Sequence, residues 1–256
     1  MRRIVLGLIG FWLLTGAVLA GEMHTWKLKS GKTFDARFVM DIGDKLTLKT
    51  PKGRILKIPK EDISEEDINY VELANPPKFD ITGVKIQAKS GESDISPYSP
   101  WVKDPLRWSR YRFGFKIKQR GANPYPHELK IEYFVFGKNR ISSRSLILLD
   151  RGSATFSPTE ENKRLMEYYG DREIELLNYR QNGWVHARGK TYAAILVIAT
   201  DERGEIIAYK SPYKWLEEGL EEKVEKLREF PLGGYLNKEI ERVYAPRPAT
   251  PAHSGR

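Results

Sequence analysis

Reaction chemistry needs a nucleophile, an acid–base pair or a metal ligand set, so the histidines and carboxylates come first. The 256-residue chain has no cysteine and four histidines, His24, His127, His186 and His253. His24 and His253 lie near the ends, where a ring is hard to hold still. His127 follows Pro-Tyr-Pro, and His186 sits in Trp-Val-His-Ala. No Gly-x-Ser-x-Gly elbow is present to strain a serine toward any of them. His-x-x-x-His spacing, cysteine pairs and an Asp-rich calcium loop are also missing, which leaves no metal set. Asp80, Asp94, Asp104, Glu132 and Asp150 are scattered, and glycoside hydrolysis needs two carboxyls that the fold brings face to face. Neither a Walker loop nor Gly-x-Gly-x-x-Gly occurs, so a nucleotide cofactor has no phosphate cradle. No catalytic, cofactor-binding or metal-binding residue is assigned.

The residues suited to binding are aromatic. Tyr98, Trp101 and Trp108 fall among Pro97, Pro100 and Pro105, and Tyr125 lies between Pro124 and Pro126. Aromatic rings on stiff loops can stack on sugars or accept proline-rich peptides. The alternative is that they lie flat over the edge of a core. These four are the candidate ligand surface.

Two kinds of element must position them. In residues 24–73, Phe34, Ala36, Phe38 and Met40 recur at every second position, as do Leu46 with Leu48 and Leu56 with Ile58. A pleated strand sends alternate side chains to one face, so this period predicts short strands over a shared core. Ser30-Gly31-Lys32, Ile42-Gly43-Asp44 and Pro51-Lys52-Gly53 separate them as turns. Ser64, with Asp67 three residues on, predicts a capped helix facing inward through Ile68 and Val71. Such a unit is a small SH3-like barrel.

The order Trp26, Gly31, Phe34, Ala36, Phe38, Val39, Leu48, Gly53, Pro59, Ser64, Asp67, Tyr70 resembles the Sla homology domain. That module is an SH3-like unit of a eukaryotic endocytic adaptor and of secreted bacterial proteins. The resemblance implies an SH3-like fold over residues 23–74 and a peptide or protein ligand. The adaptor's version binds Asn-Pro-Phe-x-Asp peptides, but no peptide-contacting residue can be placed here.

Met1-Arg2-Arg3, an apolar run from Ile4 to Leu14 and Ala17-Val18-Leu19-Ala20 describe a secretory signal over residues 1–20, cut after Ala20. The alternative is retention as a membrane anchor, although Ile4 to Ala20 is short of the roughly 20 residues a span needs. The expected location is periplasmic or extracellular. The formal charge is +9, of which Arg2 and Arg3 supply two. For an exported protein a basic balance points to anionic envelope polymers or acidic partners rather than nucleic acid.

Asn75-Pro76-Pro77 ends the first unit. Over residues 78–230, Tyr111, Phe113, Phe115 and Ile117 alternate with Arg112, Gly114, Lys116 and Lys118, predicting a half-buried strand with a basic outer face. Further strands are predicted around 79–88, 129–135, 145–149, 172–179, 191–200 and 205–209, with a bulge at Gly83 and a hairpin at Asp201–Gly204. This pattern predicts an immunoglobulin-like β-sandwich. Two helices are added: one capped at Ser157-Pro158-Thr159-Glu160 and ended by Gly170, the other opening at Ser211-Pro212. In the second, Leu216, Leu220, Val224 and Leu227 form an apolar stripe, to be packed on the sandwich or offered to a partner. A short helix and a disordered tail complete residues 231–256. The chain thus reads as mainly β and as a non-catalytic binding or scaffolding protein of the envelope. The alternative is a carbohydrate-active or hydrolytic enzyme with its site in the sandwich.

Overall fold

The computed structural model describes residues 23–93, 106–121, 123–139, 145–178 and 189–245. The expected signal, Tyr98, Trp101, His186 and the tail beyond 245 lie outside them. The fold is mainly β, as the alternation predicts, and the chain divides into two compact units between Pro76 and Pro77.

In the first unit β1 (Met23–Lys27), β2 (Thr33–Ile42), β3 (Lys45–Lys49) and β4 (Ile55–Pro59) form an antiparallel meander. A 3-10 turn, Lys60–Asp62, then brings Ile63 back against Leu28, which closes the sheet into a small barrel. Trp26, Ala36, Leu46, Leu48 and Ile63 are fully buried inside it. Helix α1 (Glu65–Ala74) starts at Ser64, whose hydroxyl oxygen accepts from the Asp67 amide at 3.2 Å. Met40, expected on the inner face, is instead 45% exposed. Val39 has no partner in β3, and this bulge turns the rest of β2 over.

The second unit is a two-sheet sandwich. One sheet pairs β5 (Phe79–Ser93) with β6 (Leu106–Gln119). The far edge of β6 is shared by β9 (Leu165–Tyr169) and β10 (Ile174–Asn178), in effect one strand broken at residues 170–173. The other sheet runs β12-β11-β7-β8-β13-β14, from β12 (Ile206–Lys210), β11 (Lys190–Thr200), β7 (Leu129–Asn139) and β8 (Leu146–Phe156) to β13 (Tyr235–Leu236) and β14 (Arg242–Val243). Between the sheets Phe113, Phe115, Ile117, Ile131, Val135 and Val197 form the main core. Beyond the second sheet Phe134, Phe136, Leu196 and Ile198 meet Leu216, Leu220, Val224 and Leu227. Those four leucine and valine positions belong to α2 (Lys214–Glu217) and α3 (Leu220–Glu229), parted at Gly219, whose φ of 65° is left-handed. The stripe therefore packs on the sandwich. Each such side chain, fully buried, contributes about 1.5–3 kcal/mol.

Three expectations are corrected. The helix predicted from Ser157 to Gly170 is a turn followed by β9. Its start is held by a reciprocal pair between Thr159 and Asn162, and Lys163 and Arg164 then take φ of 54° and 57°. A right-handed helix cannot pass through two such residues. The bulge predicted at Gly83 lies at Ala88. Gly83 stays in register opposite Phe115, and its bare Cα makes room for Ile195: a Cβ there would stand 2.7 Å from the Ile195 Cβ. Finally, the short helix expected after residue 230 is the β13–β14 hairpin, which adds to the edge of β8.

Candidate functional site

The sandwich opens at the end where β6 and β11 begin and β10 finishes. There a cleft of 380 Å³ lies between the sheets. Its walls follow from strand phase. On β6 the odd positions Phe113, Phe115 and Ile117 face the core, and continuing that period backward places Tyr111, Ser109 and Arg107 in the cleft. On β5 the inward row Phe79, Ile81 and Gly83 continues to Lys85. On β11 the period breaks: Ala193 has no partner in β7, so Tyr192 and Lys190 turn to the inner face while Leu196 and Ile198 point to the helices. Leu176 and Leu177 of β10 complete the lining.

Three cations meet in this space. The Lys85 ammonium lies 5.2 Å from the Tyr111 ring centroid and 4.5 Å from that of Tyr192. The ring quadrupoles fix it there without neutralising it. Tyr192 is itself stacked on Phe113, with centroids 5.6 Å apart. Among the described residues neither Lys85 nor Lys190 has a carboxylate partner within 4.0 Å. Arg107 has Glu92 at 3.6 Å, a well-exposed pair of small net worth. Burial first, and the neighbouring Tyr213 second, push the Tyr192 phenol above its ordinary range, so it stays a neutral hydroxyl. The cleft offers ammonium and guanidinium donors, the hydroxyls of Ser109, Tyr111 and Tyr192, and the Leu176 side chain.

No family model matches the chain, and no curated protein matches it. A crystal structure from Akkermansia muciniphila is similar at 15% identity and a TM-score of 0.21, covering 55% of this chain and 73% of that one. At that TM-score the likeness carries no argument.

Of the carboxylates singled out for chemistry, Asp94 and Asp104 lie outside the described residues, and Asp80, Glu132 and Asp150 are each occupied by other partners. Asp80 pairs with Arg120 at 2.6 Å, which holds its carboxyl below the usual range. Glu132 accepts from Arg228 at 3.1 Å and ties α3 to β7. Asp150, 1% exposed, accepts from the Tyr133 hydroxyl and from Arg172, both at 3.2 Å. Burial pushes the Asp150 carboxyl up despite Arg172. Burial, and then the Asp150 charge, push the Tyr133 phenol far up. This buried brace pins the break between β9 and β10.

In the first unit His24, far from being loose, donates from Nε2 to the Asp67 carboxylate at 2.7 Å and stacks on Tyr70 with centroids 4.1 Å apart. Asp67 also accepts from the Lys27 amide at 2.6 Å and the Ser64 hydroxyl at 3.0 Å. Serine, histidine and aspartate are thus together, but the carboxylate stands in the middle. The serine proton is directed to Asp67 and not to the imidazole, so the group locks α1 onto β1 instead of activating a nucleophile.

Of the predicted ligand surface, Tyr98 and Trp101 lie outside the described residues. Trp108 sits on β6 opposite Gly91, half-buried, with the Arg110 guanidinium 5.2 Å from its ring. Tyr125 is a correction: it is 5% exposed and packs edge-on against Phe79 and His127, so it serves the core and offers no surface. Sequence reading missed Lys85, Arg107, Ser109, Lys190 and Tyr192. A signal for two of them existed, because polar residues continue the inward period of β6 beyond Tyr111.

Proposed function

We propose that this is an exported, non-catalytic binding protein of the cell envelope. Its first unit, by its resemblance to the Sla homology domain, takes a peptide or protein ligand, and its second unit holds an anionic envelope component. The observation that carries the reading is the cleft: two lysines without acidic partners among the described residues, set with hydroxyls between the sheets. Placing like charges together costs stability unless a counter-charge arrives, and a bound anion supplies one. The buried carboxylates fit the same reading, since Asp67 and Asp150 spend their acceptor capacity on protein donors.

Co-sedimentation of the purified chain with an envelope fraction tests this. The chain is expected to pellet with the fraction, and Lys85→Met with Lys190→Met to release it at unchanged unfolding midpoint. Equal pelleting of both proteins, or turnover of an envelope polymer by the unaltered chain, would overturn the reading.

A further inference from the structure

We infer that the inter-sheet cleft binds an acidic sugar unit, a pyranose or polyol bearing a carboxylate or phosphate. This rests on the reading of the second unit as an anion binder and names the chemistry of its ligand. The volume, 380 Å³, falls near the lower end of small-ligand pockets, about 300–1,000 Å³. It suits a sugar-sized group and not a folded partner.

The lining selects among anions of that size. Lys85 and Lys190 supply charge from opposite sheets, so an acidic group held between them neutralises both. Ser109, Tyr111 and Tyr192 add three hydroxyls, which both donate and accept as sugar hydroxyls require. Leu176 gives an apolar wall for the C–H face of a ring. A nucleobase would need a free aromatic face. Tyr192 is already stacked on Phe113 and carries Lys85 over its ring, so what it presents is its hydroxyl edge. Inorganic phosphate would use the lysines and leave the hydroxyls and Leu176 without a role. The outer face of the same sheet is the contrast: there Lys116 lies 3.6 Å from Glu167 and Arg110 lies 3.0 Å from Glu175, so each has a carboxylate within reach, as neither Lys85 nor Lys190 does among the described residues.

Titration calorimetry on the full chain tests this with oligogalacturonate, the matching neutral oligogalactose, a glycerol-phosphate oligomer and inorganic phosphate. At least one of the two acidic polyols is expected to bind, and which one does identifies the acidic group. The neutral oligosaccharide is expected to bind about tenfold more weakly or worse, as one charge-assisted contact of about 1.5–3 kcal/mol implies. Lys85→Met and Lys190→Met should each cost a similar factor, and Ser109→Ala and Tyr192→Phe a smaller one. Lys116→Met on the outer face should change affinity less than about twofold. Unfolding midpoints equal to the parent's show that the cleft variants fold. Equal binding of neutral and acidic sugars, binding of inorganic phosphate as tight as that of the acidic polyols, or an equal effect of Lys116→Met would each overturn the inference. If envelope retention depends on Lys85 and Lys190 while neither acidic polyol binds, this inference fails and the functional reading stands. If an acidic polyol binds in the cleft and the envelope does not retain the chain, the functional reading fails alone.

Discussion

On the outer face of the β5–β6–β10 sheet, Arg110 meets Glu175, Lys116 meets Glu167 and Arg120 meets Asp80 at 3.0, 3.6 and 2.6 Å. On its inner face, a few ångströms of sheet thickness away, Lys85 lines the cleft that Lys190 also lines, and finds aromatic rings in place of a carboxylate. Both faces are basic by sequence. The difference is that the outer-face cations Arg110 and Lys116 have cross-strand acids in register, whereas Lys85 and Lys190, from different sheets, have none among the described residues. Of the inner-face cations Arg107 alone has one, Glu92 across from it on β5. A formal charge of +9 therefore says little about binding until the pairs are subtracted.

The comparison can be broken most severely at Gly114, where β9 comes closest to β6. A Cβ there would stand 1.8 Å from the Tyr168 carbonyl oxygen, so Gly114→Ala is expected to cost more than about 3 kcal/mol in urea unfolding. The loss would detach Glu167, and with it the counter-charge of Lys116. A smaller effect tests the joint between β9 and β10. The Asp150 carboxyl is raised from its ordinary 3.8, so as pH climbs above 3.8 the unfolded chain ionises this group before the folded one does. The brace thus loses stability as pH rises through the interval up to the folded value, and gains none by ionising. Asp150→Asn is expected to flatten that decline, read as unfolding midpoint against pH; an unchanged slope would remove Asp150 as its source.

Salt sharpens the contrast further. Between about 0.1 M and 1 M salt the Debye length contracts from roughly 10 Å to 3 Å. Cleft affinity for an acidic sugar should fall several-fold over that range, while the unfolding midpoint, to which the outer pairs contribute little, moves only slightly. The least effect is expected from Glu175→Ala. It frees Arg110 at a cost under about 1 kcal/mol, since both side chains are 41% exposed, and leaves calorimetric affinity in the cleft unchanged.

Legibility followed the range of the interaction. The alternation of Tyr111 through Ile117, the Ser64–Asp67 cap and the Asp201–Gly204 turn depend on neighbours a few residues away, and each stands as read. The Ser157 capping box does not form: Thr159 and Asn162 hold a turn instead, two left-handed residues follow, and Met166 and Tyr168 of β9 pack against the core. His24 looked loose from its position near the end of the chain, yet a carboxylate 43 residues away holds it. Bulges were the other failure. The unpartnered Val39 and Ala193 change which face follows, and a period-2 pattern carries no marker for an extra residue.

By itself the sequence determined that the chain is mainly β, where most strands run and which side of each is apolar, because hydrophobic period and turn chemistry act locally. It determined an excess of cations as well. Only the tertiary structure decided which of them stand without an acid among the described residues. Lys85 and Lys190 sit on β5 and β11, strands of different sheets, and their sharing of one cleft depends on sheet pairing and on the bulge at Ala193. Charge neutralisation is set by distances of a few ångströms between residues remote in sequence, and it is the packed sandwich that sets those distances.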